Sequence, residues 1–251
     1  MSREINLTIT EQDFLKDNCR LTVGEQVNKP TISLSSLIEH GTKDYLSSIQ
    51  GALGANQLDV AASLLMKRLG FIAVNCFYSM TAFDKALKVA PENIWIDSSF
   101  EKKVWLPKIR FYQLKAVEPM FGERDKWREA TFKQLFQTVY APLIEQLAKD
   151  AKVSRQTLWE NVMLYIYWLY ETVLPKMNVT TNLQEDFQSL LQAPPSIFNM
   201  NRNPAAFFYK EKTFVKKHQT DLRVRTTCCF YYKANKEGSH CSTCPLECKG
   251  N

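Results

Sequence analysis

Apolar residues recur at helical spacing along most of the chain. Residues 33–49 place Leu34, Leu37, Ile38, Tyr45 and Ile49 on one stripe, which predicts an amphipathic helix. Thr10 is positioned to cap a shorter helix before it, running through Phe14 and Leu15. Residues 58–87 form a long periodic stretch whose apolar middle, 71–77, predicts a buried helix, with Gly70 as a point of interruption. The pattern then changes to alternation at 93–96, 103–105 and 109–114, which reads as two or three short strands. Helical spacing returns at 125–148, through Trp127, Phe132, Leu135, Phe136, Val139, Leu143 and Leu147. From Ser154 the clearest helix carries Leu158, Val162, Tyr165, Ile166, Leu169 and Val173, and Pro175 stops it. Thr181 or Asn182 caps one more, which ends before Pro194 and Pro195. The Pro/Asn-rich residues 194–204 read as a linker. The expected fold is α+β, mainly α: a helical body over residues 1–200, in one or two lobes, with a small antiparallel sheet, then a cysteine-rich segment over 201–251.

Composition adds an asymmetry. With 45% hydrophobic and 23% charged residues, the 251-residue chain is ordinary for a globular protein and large enough for a sizeable core. The net charge of +6 is not spread evenly. From Asn201 onward there are ten basic and four acidic residues, whereas the preceding 200 hold 22 of each. A nucleic-acid-binding protein carries a broader excess, so no nucleic-acid partner is expected and the basic tail needs a local explanation. The longest apolar run, 162–170, has nine residues, against the ~18 of a membrane span. No apolar leader follows Met1. The expectation is a cytoplasmic protein without stable membrane insertion.

Cysteine changes the picture most. Five of the seven fall in the last 24 residues: Cys228, Cys229, Cys241, Cys244 and Cys248. Where thiols stay reduced, such clustering points to metal or redox chemistry rather than disulfides. The spacing is C-C-x11-C-x2-C, four thiolates that suit either a tetrahedral zinc or an iron–sulfur cluster. Zinc knuckles usually use C-x2-C twice. Here the first pair is adjacent, and neighbouring side chains in extended backbone point apart. Spacing alone leaves both metals open. Cys19 and Cys76 read as small core residues.

The run Arg223-x-Arg225-Thr-Thr-Cys228-Cys229-x-x-Tyr232, followed by Cys241-Ser-Thr-Cys244-Pro245, resembles the C-terminal signature of FhuF-type ferric siderophore reductases. The resemblance covers about a tenth of the chain. The family pattern has about ten residues between its cysteine pairs, and this chain has eleven. It implies a [2Fe–2S] cluster held by Cys228, Cys229, Cys241 and Cys244, with Cys248 outside the set. It also implies one-electron reduction of iron(III) in a hydroxamate-type siderophore in the cytoplasm, with release of iron(II); the basic tail adds the expectation that the siderophore is anionic. No G-x-G-x-x-G after a strand, no P-loop and no H-E-x-x-H occur. Electrons are therefore expected from an external donor, a ferredoxin-like protein or a small reductant. Beyond the cluster no catalytic residue is expected.

Several side chains near the cysteines invite a role. Arg223, Arg225, Lys216 and Lys217 are candidates for attracting an anionic chelate, with Lys210 and Lys212 nearby; the plainer reading is that they balance thiolate charge or face solvent. His240 reads as a loop histidine. The aromatic run Trp159, Tyr165, Tyr167, Trp168 and Tyr170 reads as core, with a chelate pocket as the alternative. The competing function is a non-catalytic binding protein with a structural four-cysteine zinc knuckle and a basic protein- or nucleic-acid-binding tail.

Overall fold

Thr8, rather than Thr10, opens the first helix. In the computed structural model, which describes residues 2–25, 31–179, 181–235 and 237–248, the Thr8 side chain accepts from the Glu11 amide while Glu11 accepts from the Thr8 N–H at 2.7 Å. This reciprocal box needs a long carboxylate three residues on; Thr10 has only the shorter Asp13 there. Strand β1 (Ser2–Ile5) precedes helix α1 (Ile9–Cys19), and β2 (Leu21–Val23) and β3 (Thr31–Ser33) follow it. The single helix expected over 33–49 is two, α2 (Leu34–His40) and α3 (Lys43–Leu53). Gly41 breaks it at φ 93°, a conformation that favours glycine. Asp150 fixes the turn by accepting from Thr42 N and Oγ1 at 2.7 and 3.0 Å.

Helix α4 (Leu58–Phe83) passes through Gly70 without interruption. A Cβ at Gly70 would lie 2.5 Å from Tyr165 Cδ2, so the glycine admits a ring rather than ending a helix. By length and composition α4 could cross a membrane, and 89% of its most apolar window is buried within the fold.

The three alternating segments form strands. After β4 (Ala86–Leu87) come β5 (Ile94–Asp97), β6 (Phe100–Glu101), β7 (Val104–Trp105), β8 (Lys108–Phe111) and β9 (Ala116–Pro119). One sheet has the order β2-β8-β5-β3; β2 runs parallel to β8 and the other pairs are antiparallel. The expected antiparallel sheet is thus mixed, and a separate antiparallel sheet, β1-β9-β4, joins the N-terminus to the middle of the chain. The buried pair Arg110–Asp97, at 3.0 Å, ties β8 to β5.

Helix α5 (Arg124–Lys133) widens into a π-helical stretch (Gln134–Tyr140) and resumes as α6 (Ala141–Ala151). The wide turn accommodates Pro142, which has no N–H to donate. Ser154 caps α7 (Arg155–Trp168), which packs along α4. A second π-helical stretch (Leu169–Val173) carries it into α8 (Leu174–Lys176), so Pro175 sits inside the last turn rather than after it. Helix α9 (Leu183–Gln192) follows.

Residues 194–204 are packed, not loose. Phe198 is fully buried, its ring 4.6 Å from Phe136 and 5.5 Å from Trp159. Asn203 donates to the carbonyls of Leu190 and Ala193 at 2.9 Å and caps α10 (Pro204–Phe207). The tail adds a hairpin, β10 (Thr213–Val215) with β11 (Thr220–Leu222), and a last short helix, α11 (Pro245–Cys248). Residues 249–251 of the expected tail segment lie outside the described residues.

Candidate metal centre

Buried polar groups on two body helices hold the tail in place. Arg225 is 1% exposed. Its Nε donates to Thr227 O at 3.0 Å, its Nη2 donates to Asn161 Oδ1 at 2.7 Å, and Glu160 Oε2 lies 3.6 Å away. Glu160 also accepts from the amides of Thr226 and Thr227 at 2.7 and 2.8 Å. Asn161 donates onward to Ser63 on α4, and Ser63 Oγ donates to Cys229 O at 2.9 Å. A carboxylate inside an apolar helix is expensive unless charge and N–H groups meet it; here every partner comes from the cysteine segment. Arg225 N in turn donates to Thr243 O at 3.0 Å, which brings the Cys241–Cys244 turn beside Cys228 and Cys229.

The thiols meet in two pairs. Cys229 and Cys241 are 3.6 Å apart at sulfur, and Cys228 meets the side chain of Cys244. The adjacent residues therefore point to different partners. Phe230, at φ 60°, turns the chain sharply after them, and its amide donates to Cys228 Sγ at 3.3 Å. Cys244 N donates to Cys241 O at 2.9 Å, closing the C-x2-C turn. Cys229 and Cys244 are buried; Cys228 and Cys241 are half-buried. Among the described residues no three His, Cys, Asp or Glu side chains are grouped to hold one metal ion. Four soft sulfur ligands in two pairs, with no oxygen or nitrogen ligand among them, fit a group that presents two sulfur-binding metal atoms.

Electrostatics favour thiolate at one sulfur. Cys229 is held well below the ordinary thiol range, first because of its side-chain hydrogen bond with Cys241, then because Lys67 and Arg225 face it with positive charge. Cys241, its partner in that bond, is pushed up. Burial also raises Cys228, and it raises the core thiol of Cys19 to about 12. Lys67 on α4 places Nζ 3.9 Å from Cys229 Sγ. Cys248 stands apart, its thiol donating to Ser242 O at 3.4 Å.

The basic residues named from sequence are mostly paired. Arg225 is internal. Arg223 grips Glu171 through both terminal nitrogens, at 2.7 and 3.1 Å, and lies 4.1 Å over the Tyr209 ring. Lys212 shares Glu171, and Lys217 pairs with Glu247. Lys216 is exposed. His240 stacks on Tyr232 at 4.7 Å. Of the aromatic run, Trp159, Tyr167 and Tyr170 are core, Tyr165 is half-buried and Trp168 is 42% exposed. Sequence reasoning missed Ser63, Lys67, Glu160, Asn161 and Glu171. The adjacent polar residues Glu160 and Asn161 inside an apolar helical stretch were the available signal.

A family model described as ferric iron reductase FhuF-like transporter matches residues 66–213, more than half of the chain. The chain belongs to this FhuF-like family. The match begins on α4 and ends on β10, before the first tail cysteine, so it is separate from the C-terminal signature. It includes Lys67, Glu160, Asn161 and Glu171. No curated protein matches the chain. Among solved structures, the chain is similar to the aerobactin synthetase IucC from a hypervirulent pathotype of Klebsiella pneumoniae, at 14% identity and a TM-score of 0.47. That similarity covers 73% of this chain and 36% of the synthetase, so the chain spans about a third of that protein's length.

Proposed function

We propose that the protein is a cytoplasmic ferric-siderophore reductase in which Cys228, Cys229, Cys241 and Cys244 hold a [2Fe–2S] cluster. The observation that carries this reading is the gathering of the four thiols into two facing pairs, in a chain whose body matches the FhuF-like family. Cys229 with Cys241 and Cys228 with Cys244 would together hold the cluster. Residues 1–200 would receive the chelate and 201–251 would carry the cluster.

When bound, the cluster supplies single electrons, delivered by a ferredoxin-like protein or a small reductant. Iron(III) in the substrate is a hard cation held by hard hydroxamate oxygens; iron(II) binds them less tightly, so reduction releases it. The chain's own residues prepare the site. Lys67 and Arg225 offset thiolate charge at Cys229. Glu160, Asn161 and Ser63 fix the backbone from Arg225 to Cys229. Burial of Cys229 and Cys244 keeps water from two of the four sulfurs, and solvent exposure is one of the factors that set cluster potential.

Anaerobic purification followed by iron, sulfide and visible-absorption analysis tests the reading. About two irons and two sulfides per chain, with reoxidation of the reduced protein by a ferric hydroxamate matched by iron(II) capture, are expected. A colourless protein containing one zinc would replace the reductase with a structural knuckle. Turnover with NAD(P)H and this protein alone would remove the external donor.

A further inference from the structure

Beside the cysteines, α4 and α7 form a hollow of about 300 Å³ lined by Arg20, Lys67, Phe71, Leu164, Tyr165 and Trp168. Larger hollows of about 450 and 520 Å³ lie elsewhere, and no cysteine lines either. Lys67 belongs to both places: it lines this hollow and reaches to within 3.9 Å of Cys229 Sγ. Lys67 therefore reaches from the wall of the hollow to the Cys229 sulfur.

The cations here differ from those of the tail in lacking a carboxylate partner, although Arg225 Nη1, like Arg20 Nη1, is buried without an acceptor among the described residues. Arg223, Arg225, Lys212 and Lys217 each have a carboxylate partner. Arg20 lies 4.1 Å over the Phe71 ring, and its buried Nη1 finds no acceptor among the described residues. The same holds for the buried Nε of neighbouring Arg68. Among the described residues, no acidic residue lines the hollow. The carboxylate acting on Arg20, Glu101, is in contact with Lys108 at 3.9 Å instead. A buried N–H without a partner loses free energy unless something accepts from it, and guanidinium and ammonium groups without a carboxylate partner suit anionic oxygens. The remaining walls are aromatic. Tyr165 sits 5.3 Å from Phe71, in the space that Gly70 leaves, and Trp168 lies 6.3 Å from Phe71 with 42% of its surface exposed.

We infer that this hollow is the docking site for a ferric hydroxamate chelate that carries a carboxylate, with Arg20 and Lys67 binding the carboxylate oxygens and Phe71, Tyr165 and Trp168 receiving its apolar arm. This inference rests on the reductase reading for the identity of the ligand; the hollow, its cations without carboxylate partners and the reach of Lys67 to Cys229 do not. It moves the expected chelate contacts from Arg223, Arg225, Lys216 and Lys217 to the body.

Calorimetric titration of the cluster-loaded protein with gallium(III) trihydroxamates tests it, because gallium(III) is not reduced and binding is read without turnover. One complex carries a carboxylate arm and the other an ammonium arm. The anionic complex should bind saturably, one per chain. Arg20→Gln and Lys67→Gln should each weaken it about tenfold, the equivalent of one charged hydrogen bond, with little effect on the cationic complex. Lys67→Arg should keep most of the affinity, and Trp168→Ala should weaken both complexes. Paired Lys216→Gln and Lys217→Gln should change nothing. Cluster content and circular dichroism are matched first; if Arg20→Gln does not fold, Lys67→Gln and Trp168→Ala decide. Unchanged binding in the Arg20 or Lys67 variants, or loss in the Lys216/Lys217 variant, overturns the site. So does reoxidation of the reduced protein by ferric chelate without saturable gallium binding, which leaves the reductase reading intact. Arg20-dependent binding by a protein that fails to reduce the ferric complex would keep the hollow and remove the reductase.

Discussion

Arg225 donates to Asn161 Oδ1 at 2.7 Å with both residues buried, so the middle of α7 and the segment that carries Cys228 and Cys229 are fastened at one point. Glu160, one residue earlier, accepts from the next two amides of that segment. Truncating the arginine leaves the Glu160 carboxylate buried without its cation. Arg225→Ala is expected to destabilise the fold by about 3 kcal/mol, read from denaturant midpoints, and to lower iron content in the same sample. Arg225→Lys should not restore it, because an ammonium cannot reach Thr227 O and Asn161 together in the guanidinium geometry. Wild-type stability in either variant would mean the pair is incidental.

Each of Cys228→Ser, Cys229→Ser, Cys241→Ser and Cys244→Ser should lose the iron–sulfur group or shift its spectrum. Cys248→Ser should keep it, because that thiol turns to Ser242 O instead of the pairs. Iron and sulfide analysis of the five variants decides. Full occupancy in one of the first four would exclude that residue, and loss in the fifth would admit it.

Glu171 carries a pH dependence. Burial opposes its ionisation, but hydrogen bonds from Arg223, Lys212 and Tyr209 outweigh it and bring the carboxyl down to about 2 from an ordinary 4.5. A carboxyl whose folded value is depressed stabilises fully above its unfolded value and loses that contribution as pH falls through the folded one. The loss should therefore run from about pH 4.5 down to about 2. The group is partly exposed, so screening limits the effect to about 1–2 kcal/mol. Urea midpoints measured from pH 6 to 2 should fall more in the wild type than in Glu171→Gln. Parallel curves would refute the linkage.

Gly70→Ala should destabilise, although alanine is the better helix former by about 1 kcal/mol. The added Cβ meets Tyr165 at Cδ2, Cγ and Cβ, at 2.5, 3.0 and 3.3 Å, so the base of the ring must move along with its edge. Overpacking of this kind costs about 1–3 kcal/mol. A net loss of thermal stability with altered Trp168 emission is expected; a more stable variant would show that the ring adjusts freely.

Local pattern reached the elements it physically encodes. Helical spacing marked α4, α5 to α6 and α7, because burial of one face imposes a period on one stretch of chain. Alternation marked β5, β7 and β8 for the same reason. Cysteine spacing singled out the four thiols, and the C-terminal signature pointed to the family that the body match then established. Other outcomes depend on residues far apart in sequence. The parallel pairing of β2 with β8 leaves no trace in either strand alone. Gly70 reads as a break until Tyr165, 95 positions later, is seen against it. Charge was the most misleading: the tail's ten basic residues stand next to the cysteines in sequence, yet Glu160, Glu171 and Glu247 neutralise several of them. Lys67 and Arg20, unremarkable in their own segments, line a hollow beside Cys229 that no carboxylate enters. Which cations lack a carboxylate partner is a question of pairing in three dimensions, and only the packing of α4, α7 and the tail answers it.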